Sequence, residues 1–491
     1  MSETGITEKK DKNFSEWYTQ IVLKAELIDY SSVKGFIILR EYGYSIWENI
    51  QNILNKKFKE NGTKNAYFPS LIPETLLNKE ADHFKGFIPE VFWVTKIGNN
   101  DIDNKLAIRP TSETIAYESY SKWIKSWRNL PLKLNFWNSV LRAELKDTKP
   151  FIRTSEFLWQ EGHTVHETEE QAIEQVEIML QLYENFVNDY LALPVLTGEK
   201  SEKEKFVGAK YTKTLEGIMP DGKALQMGTS HHLGQNFSKP FEISFLGKDE
   251  KQHFAWQTSW GVSWRLIGAL IMIHGDDKGL ILPPRIAPIQ VVIIPIYYNE
   301  EQKKDILKVS KEITEQFEKN NIRIIIDSNE QYTPGWKFNH WEMKGVPIRI
   351  EIGPKDLDKN SITVVKRNVK EKKQIKITNN LVNQINEELD NIQVQLFDTA
   401  KKKQREMIHE VNNYTDLCQK LKINKGFMKA FWCESVECED KIKEETGADI
   451  RLLISDAFPY EKVVGVIDPE YGECISCSKK ATKTVYFAKS Y

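Results

Sequence analysis

The chain has no apolar run approaching the roughly 20 residues that a helix needs to cross a bilayer. Its start, MSETGITEKKDKNF, is polar and lacks the apolar centre of a signal peptide. The expectation is a protein with neither membrane span nor leader. Cysteine is scarce. Five in 491 residues cannot frame so long a chain by disulfides, so a reducing, cytoplasmic setting is expected. An excess of one charge is also missing: the formal balance is −2, which creates no global field for a polyanion. Any nucleic-acid partner has to be held by local basic patches. There is no internal repeat and no low-complexity tract, and the absence of GxxxxGK[ST] excludes a P-loop nucleotide site.

What is present describes a globular protein. Hydrophobic residues make up 40% and charged residues 28% of the chain, whose length exceeds what one hydrophobic core serves. Its texture divides into three domains. Residues 14–287 are rich in tryptophan and mix helix and strand patterns. Residues 288–385 alternate short buried strands with a polar-faced helix, an α/β pattern. Residues 386–491 hold all five cysteines, behind a long charged helix read over 381–415.

In the first block, Ile46, Trp47, Ile50, Ile53, Leu54 and Phe58 recur at helical spacing. RPTSET starts another helix: Pro110 keeps Arg109 extended, and Thr111 or Ser112 can cap the first turn. FLWQEGHTVH, residues 157–166, concentrates a tryptophan, a carboxylate and two histidines. Its order, Glu161-x-His163-x-x-His166, fails the HExxH metal template. From Phe151 onward a period of two fits instead. One face then carries Arg153, Ser155, Phe157, Trp159, Glu161 and His163; the other carries Ile152, Thr154, Glu156, Leu158, Gln160 and Gly162. A face with a cation, an anion, an imidazole and two aromatic plates reads as a ligand wall, a solvated strand face being the alternative.

The preceding strand, LNFWNSVLRAEL, puts Arg142 and Glu144 on one face, and the short loop KDTKP makes the two strands an antiparallel hairpin. Arg142 suits a carboxylate or phosphate, which it can hold by two nitrogens; a weak cross-strand ion pair is its bland role. In FAWQTSWGVSWR, Phe254, Trp256, Thr258, Trp260, Val262 and Trp264 are expected to pack inward. Ala255, Gln257, Ser259, Gly261 and Ser263 then form either a flat floor for a planar ring, with Arg265 at its end, or a surface for close helix packing. Another hairpin turns at Pro220-Asp221-Gly222, and its returning strand presents Gln226, Thr229 and His231, with a bulge at Gly228.

An arginine–glutamate strand, a returning strand, then a small-residue strand ending in arginine before a helix: this order resembles the class II aminoacyl-tRNA synthetases. The helix ahead of Pro69 resembles their first motif, the homodimer interface. Arg142-Ala143-Glu144 through Glu161 resembles the second, and Gly261 through Arg265 the third. RPTSET, FLWQEGH, GTSHHLGQNFS and HGDDKGLILPPRIAP narrow the resemblance to the prolyl-tRNA synthetases of archaeal and eukaryotic cytosolic type, over nearly the whole chain. The short span between the second motif and Gln226 leaves no room for the large editing insertion of many bacterial relatives.

The fold this implies is an α+β catalytic domain, an antiparallel sheet flanked by helices, followed by an α/β anticodon-binding domain and a small C-terminal α/β domain of zinc type. The implied activity is proline–tRNA ligation through an ATP-derived prolyl-adenylate, with Mg²⁺, in a cytoplasmic homodimer acting on tRNA(Pro). The resemblance assigns proline to Thr111, Glu113, Arg142, Trp159, Glu161, His163 and His231. It assigns ATP to Arg142, Glu144, Arg153, Thr154, Gln226, Thr229, Ser263 and Arg265, with Arg142 and Arg265 catalytic. Thr154 lies across the strand from Arg153, so a backbone contact or a loop is expected there. Arg349, Glu351, Lys355 and Arg367 are candidates for tRNA contacts, with strand-end ion pairs as the alternative. Trp264 stands where the family usually has a small hydroxyl residue, on the packing face.

Cys433-x4-Cys438 and Cys474-x2-Cys477 supply four thiolates, enough for a tetrahedral structural zinc site; four reduced thiols in a small core are the alternative. Cys418 is the odd one out and is expected to be buried. Two rival functions stand beside the ligase: a sister synthetase for another small amino acid, and a non-catalytic tRNA-binding paralogue. Retention of both Arg142 and Arg265 weighs against the second.

Overall fold

The computed structural model describes residues 5–81, 91–143, 147–369, 371–423, 425–454 and 472–491; the expectation for Glu144 falls outside them. The stretches with a period of two become strands of one sheet. Its order is Lys64–Asn65, Leu132–Leu141, Glu156–His166, Trp256–Ser263, Ala224–Gly234, Tyr211–Ile218 and Leu196–Glu199. All neighbours run antiparallel except the first pair. Helices Phe14–Lys24, Glu41–Glu60, Glu169–Asp189 and Arg265–His274 share one hydrophobic core with Trp260, Val262 and Trp264. Alternation along Trp256–Ser263 therefore leaves Ser259, Gly261 and Ser263 on the opposite face, where they line a cavity.

Three local expectations need correction. Phe254 does not pack inward: it ends a short strand paired with Ser244–Leu246 and is exposed, because the central ladder begins only at Trp256 and Gln257. The alternation of Glu156–His166 does not extend back to Phe151. Phe151 has φ +61°, and the backbone there closes a turn through Ile152 N to Lys149 O and Arg153 N to Lys149 O. Ile152, Arg153 and Thr154 consequently all reach the same cavity, as a loop allows and a strand does not. The charged helix is Leu381–Glu406 and stops short of 415. After Met407 the chain forms strand Ile408–Glu410, parallel to Phe427–Trp432, with Gly426 at φ +112° making the close approach to Met407.

Residues beyond Val291 build a five-stranded sheet in the order Ile324–Ile326, Val291–Pro295, Ile348–Ile352, Ser361–Lys366, Lys372–Lys376, parallel in its first three strands and antiparallel after them. The last part of the chain adds Asp449–Leu453, Lys483–Ala488, Phe427–Trp432 and Ile408–Glu410 to the edge of the first sheet through Leu453 and Glu199, giving eleven strands. A buried triad holds this seam. Lys200 Nζ donates to Glu216 Oε1 at 2.7 Å, and Arg451 grips the same carboxylate through two nitrogens at 3.1–3.2 Å.

Candidate active site

One cavity of ≈ 240 Å³ gathers most of the predicted site. Its floor is the small-residue face of Trp256–Ser263, and a Cβ added at Gly261 would already stand 3.6 Å from the Trp159 ring. Thr111 and Glu113 enter from the start of helix Glu113–Trp123; Trp159, Glu161 and His163 come from Glu156–His166; Gln226, Thr229 and His231 come from Ala224–Gly234. Register explains the grouping. Ser259 is paired with His163 on one side and His231 on the other, and Gly261 with Glu161 and Thr229. Residues opposite one another share a face.

Glu161 is 2% exposed and its carboxylate is surrounded by donors. Ser112 N (3.0 Å), Asn138 Nδ2 (2.9 Å), His163 Nε2 (3.0 Å) and the Ser112 hydroxyl all reach it. The predicted helix cap is thus used differently: Ser112 spends its hydroxyl on Glu161 and makes no capping bond. Burial alone would raise the Glu161 carboxyl, but the hydrogen bond and charge of His163, with Ser112 and Asn138, hold it below its ordinary value. Burial would likewise lower His163, yet Glu113 and Glu161 raise it. The His163 ring stacks on Phe136 at 5.3 Å, and its Nδ1 meets the Tyr117 hydroxyl at 3.2 Å.

His231 behaves oppositely. Burial and the nearby His163 push it down to about 3, so it is neutral. A short chain of bonds ties the ring to the segment before it: Phe206 N donates to Thr212 Oγ1 at 3.0 Å, and that hydroxyl lies 2.9 Å from His231 Nδ1.

Arg142 and Arg265 both line the cavity. The Arg142 guanidinium lies over Phe157 and Trp159 at 5.2 and 5.6 Å, and its Nε donates to Pro110 O at 3.3 Å. Arg265 donates from Nε to Ile152 O (3.1 Å) and from Nη1 to Gln226 O (3.3 Å). Arg153, Thr154 and Ser263 are at the same end. The 147–153 turn is gripped from outside: Tyr18 donates to Pro150 O at 2.7 Å, and Lys149 Nζ sits 5.1–5.6 Å over Phe14, Tyr18 and Tyr491.

Asn138, Phe206 and Thr212 were not picked out from the sequence. Asn138 joins Trp159 Nε1 (2.6 Å) to Glu161, and Phe206 packs 4.8 Å from the His231 ring. A polar residue in a strand and an aromatic one in the turn-rich KEKFVGAK carry no local signature. The four tRNA candidates lie apart from this cavity. Arg349 pairs with Glu351 and Glu342, Arg367 is buried with both terminal nitrogens on Asp276 (2.6 and 2.9 Å), and Lys355 is exposed.

The cysteine sulfurs converge. Cys433 Sγ is 3.8 Å from Cys438 Sγ and 3.7 Å from Cys477 Sγ, and all four ligand sulfurs, Cys474 included, lie within 4.8 Å of one another. Tetrahedral zinc with bonds of about 2.3 Å separates its sulfurs by about 3.8 Å, so the set fits that ion.

Comparison with known proteins fixes the class first. Residues 92–274 match the tRNA synthetase class II core domain (G, H, P, S and T), and residues 290–388 match the anticodon binding domain family. The molecule is a class II aminoacyl-tRNA synthetase. Residues 414–491 match the prolyl-tRNA synthetase C-terminal family. Over 489 residues the chain is 54% identical to the proline–tRNA ligase of Cenarchaeum symbiosum, covering 100% of both. It is 48% identical to that of Natranaerobius thermophilus, covering 98% of this chain and 97% of the relative. The crystal structure of prolyl-tRNA synthetase from Cryptosporidium parvum complexed with L-proline and AMP is similar at TM-score 0.92 and 44% identity, over 100% of this chain and 98% of that one. The chain belongs to the prolyl-tRNA synthetase family, the proline–tRNA ligases.

Proposed function

We propose that this cavity binds L-proline and ATP, forms prolyl-adenylate and passes the prolyl group to the 3′ end of tRNA(Pro). The observation that carries the reading is the meeting of two guanidinium groups, Arg142 and Arg265, with a buried carboxylate-and-imidazole pocket in one cavity. Proline is a zwitterion, so its ends need opposite partners. Glu161 already has four donors, whereas the Thr111 hydroxyl, 3.2 Å from Glu161 Oε2, makes its shorter bond to Glu113. The two N–H bonds of the prolyl ammonium therefore go to Glu113 and to the lone pairs of Thr111. Trp159, His163 and His231 enclose the ring, and Arg142 takes the carboxylate.

The adenosine and phosphates of ATP lie toward Gln226, Thr229, Arg153, Thr154, Ser263 and Arg265. The proline carboxylate is ionised at neutral pH, so attack on the α-phosphorus needs no general base. A bond forms between a carboxylate oxygen and the α-phosphorus as the bond from that phosphorus to the bridging oxygen of the leaving pyrophosphate breaks, and the arginines stabilise the charge that accumulates. Mg²⁺, entering on the phosphates, would neutralise the leaving pyrophosphate. Cys433, Cys438, Cys474 and Cys477 would hold a structural zinc ion remote from the chemistry. The helix 41–60 region would form the homodimer contact of the class, and the 290–388 unit would carry the anticodon contacts.

ATP–pyrophosphate exchange across a panel of amino acids tests the reading. Proline is expected to support the fastest exchange and alanine a slow one, since a missing methylene is worth only about 1–3 kcal/mol of discrimination. Exchange driven better by threonine, serine, glycine or histidine than by proline overturns it, and complete absence of exchange favours a non-catalytic paralogue. Metal analysis of the purified chain near one zinc per chain is the expected result for the four thiolates.

A further inference from the structure

We propose that helix Val436–Thr446, in the C-terminal part of the chain, positions the amino-acid end of the cavity through the segment 201–206. The inference rests on the cavity being the proline site. Three side chains on neighbouring positions of the helix hold this segment. Ser201 Oγ donates to Glu439 Oε1 at 2.8 Å, both residues being buried. Lys203 pairs with Asp440, and Lys443 stands 3.6 Å from Glu204.

The segment turns back on its anchor, since Glu204 N and Lys205 N both donate to Ser201 O at 3.1 and 2.9 Å. One residue later, Phe206 presents its ring to His231 and its N–H to Thr212, whose hydroxyl in turn bonds His231 Nδ1. Glu204, Phe206 and His231 all line the cavity. A displacement at Ser201 is therefore passed within a few bonds to the wall that faces the substrate ring. The two ion pairs are partly exposed and carry little. The Ser201–Glu439 bond carries the coupling, because deleting its acceptor leaves the buried Ser201 O–H proton without an acceptor, the hydroxyl keeping only the bond it accepts from Glu204 N at 3.3 Å. Glu439 is thus a positioning residue that touches no substrate.

The test is proline- and ATP-dependence of pyrophosphate exchange in the full-length chain, with thermal melting recorded for each variant. Glu439→Ala is expected to raise the KM for proline about tenfold and to narrow the preference for proline over alanine. The KM for ATP and kcat at saturating proline stay at the parent values. Glu439→Gln restores the proline KM, because its amide oxygen still accepts from Ser201. Ser201→Ala removes the same bond from the other side, reproduces the effect, and replaces Glu439→Ala should that variant not fold. Phe206→Ala separates the two levels. A raised proline KM in Phe206→Ala, with parent values in Glu439→Ala and Ser201→Ala, overturns the coupling. A parent KM in Phe206→Ala overturns the site reading itself. Equal effects on the KM values of proline and ATP, or no rescue by glutamine, also overturn the coupling.

Discussion

Glu161 and His163 are neighbours on one strand face with almost no water around either, and their ionisation is set by each other. The carboxyl of Glu161 is held below 4.5 against its burial. Its contribution to stability is in full above the unfolded value and is lost as pH falls through the lower folded one. His163 is raised above 6.5 against its burial by Glu113 and Glu161. Its contribution is in full below the unfolded value and is lost as pH rises through the higher folded one. Between the ordinary values of 4.5 and 6.5 both are present. The melting-temperature difference between the parent and His163→Asn is therefore expected to shrink as pH is raised from about 6 to about 8; calorimetry at several pH values checks it. For Arg142, whose planar group lies over Phe157 and Trp159, lysine supplies charge without the flat fork. Arg142→Lys is expected to lower kcat/KM for proline-dependent exchange by about 10²-fold, with the melting temperature close to the parent.

At the scale of elements, strand Glu156–His166 has one face in the cavity and the other against the core, and Gly162 is the point where that second face is tightest. A Cβ there would stand 2.2 Å from the Trp260 ring, which is itself packed against Phe58 and Tyr183. Gly162→Ala is expected to cost about 1–3 kcal/mol in chemical denaturation, and to disturb the cavity because Glu161 and His163 flank the position. The strands show what sequence conveys well. Side-chain direction within a strand follows from a period of two, so the facing of Trp159, Glu161 and His163 was legible from FLWQEGH alone. The turn residues Pro220, Asp221 and Gly222 were legible too, with Gly222 at φ +82°. The register shift beside Gly228, which leaves Met227 unpaired, had only the glycine to announce it. Where the period breaks, at Phe151 with its positive φ, parity alone sets Thr154 across from Arg153, and the loop expected there as the alternative to a backbone contact is what brings both to the cavity.

At the scale of the molecule, the C-terminal part is continuous with the catalytic sheet, and the Lys200–Glu216–Arg451 triad seals the join. Removing the shared carboxylate leaves two buried cations without their partner. Glu216→Ala is expected to destabilise the chain by about 3–5 kcal/mol, measured by urea unfolding, and to open the 427–491 region to limited proteolysis first. Arg367 shows the same level deciding a residue's employment: the sequence offers a cation near a strand end, and the fold sets Asp276 against it.

By itself the sequence determined the class of fold, the strand faces, the turns and the family, because periodicity, turn chemistry and motif strings are local properties of the chain. Only the tertiary structure decided that Glu161, Gly261 and Thr229 share one row, that Asn138 links Trp159 to Glu161, and that Phe206 closes the cavity. Those neighbours come from strands and loops far apart in the chain, and which of them meet is fixed by sheet order and register, quantities that no single segment encodes.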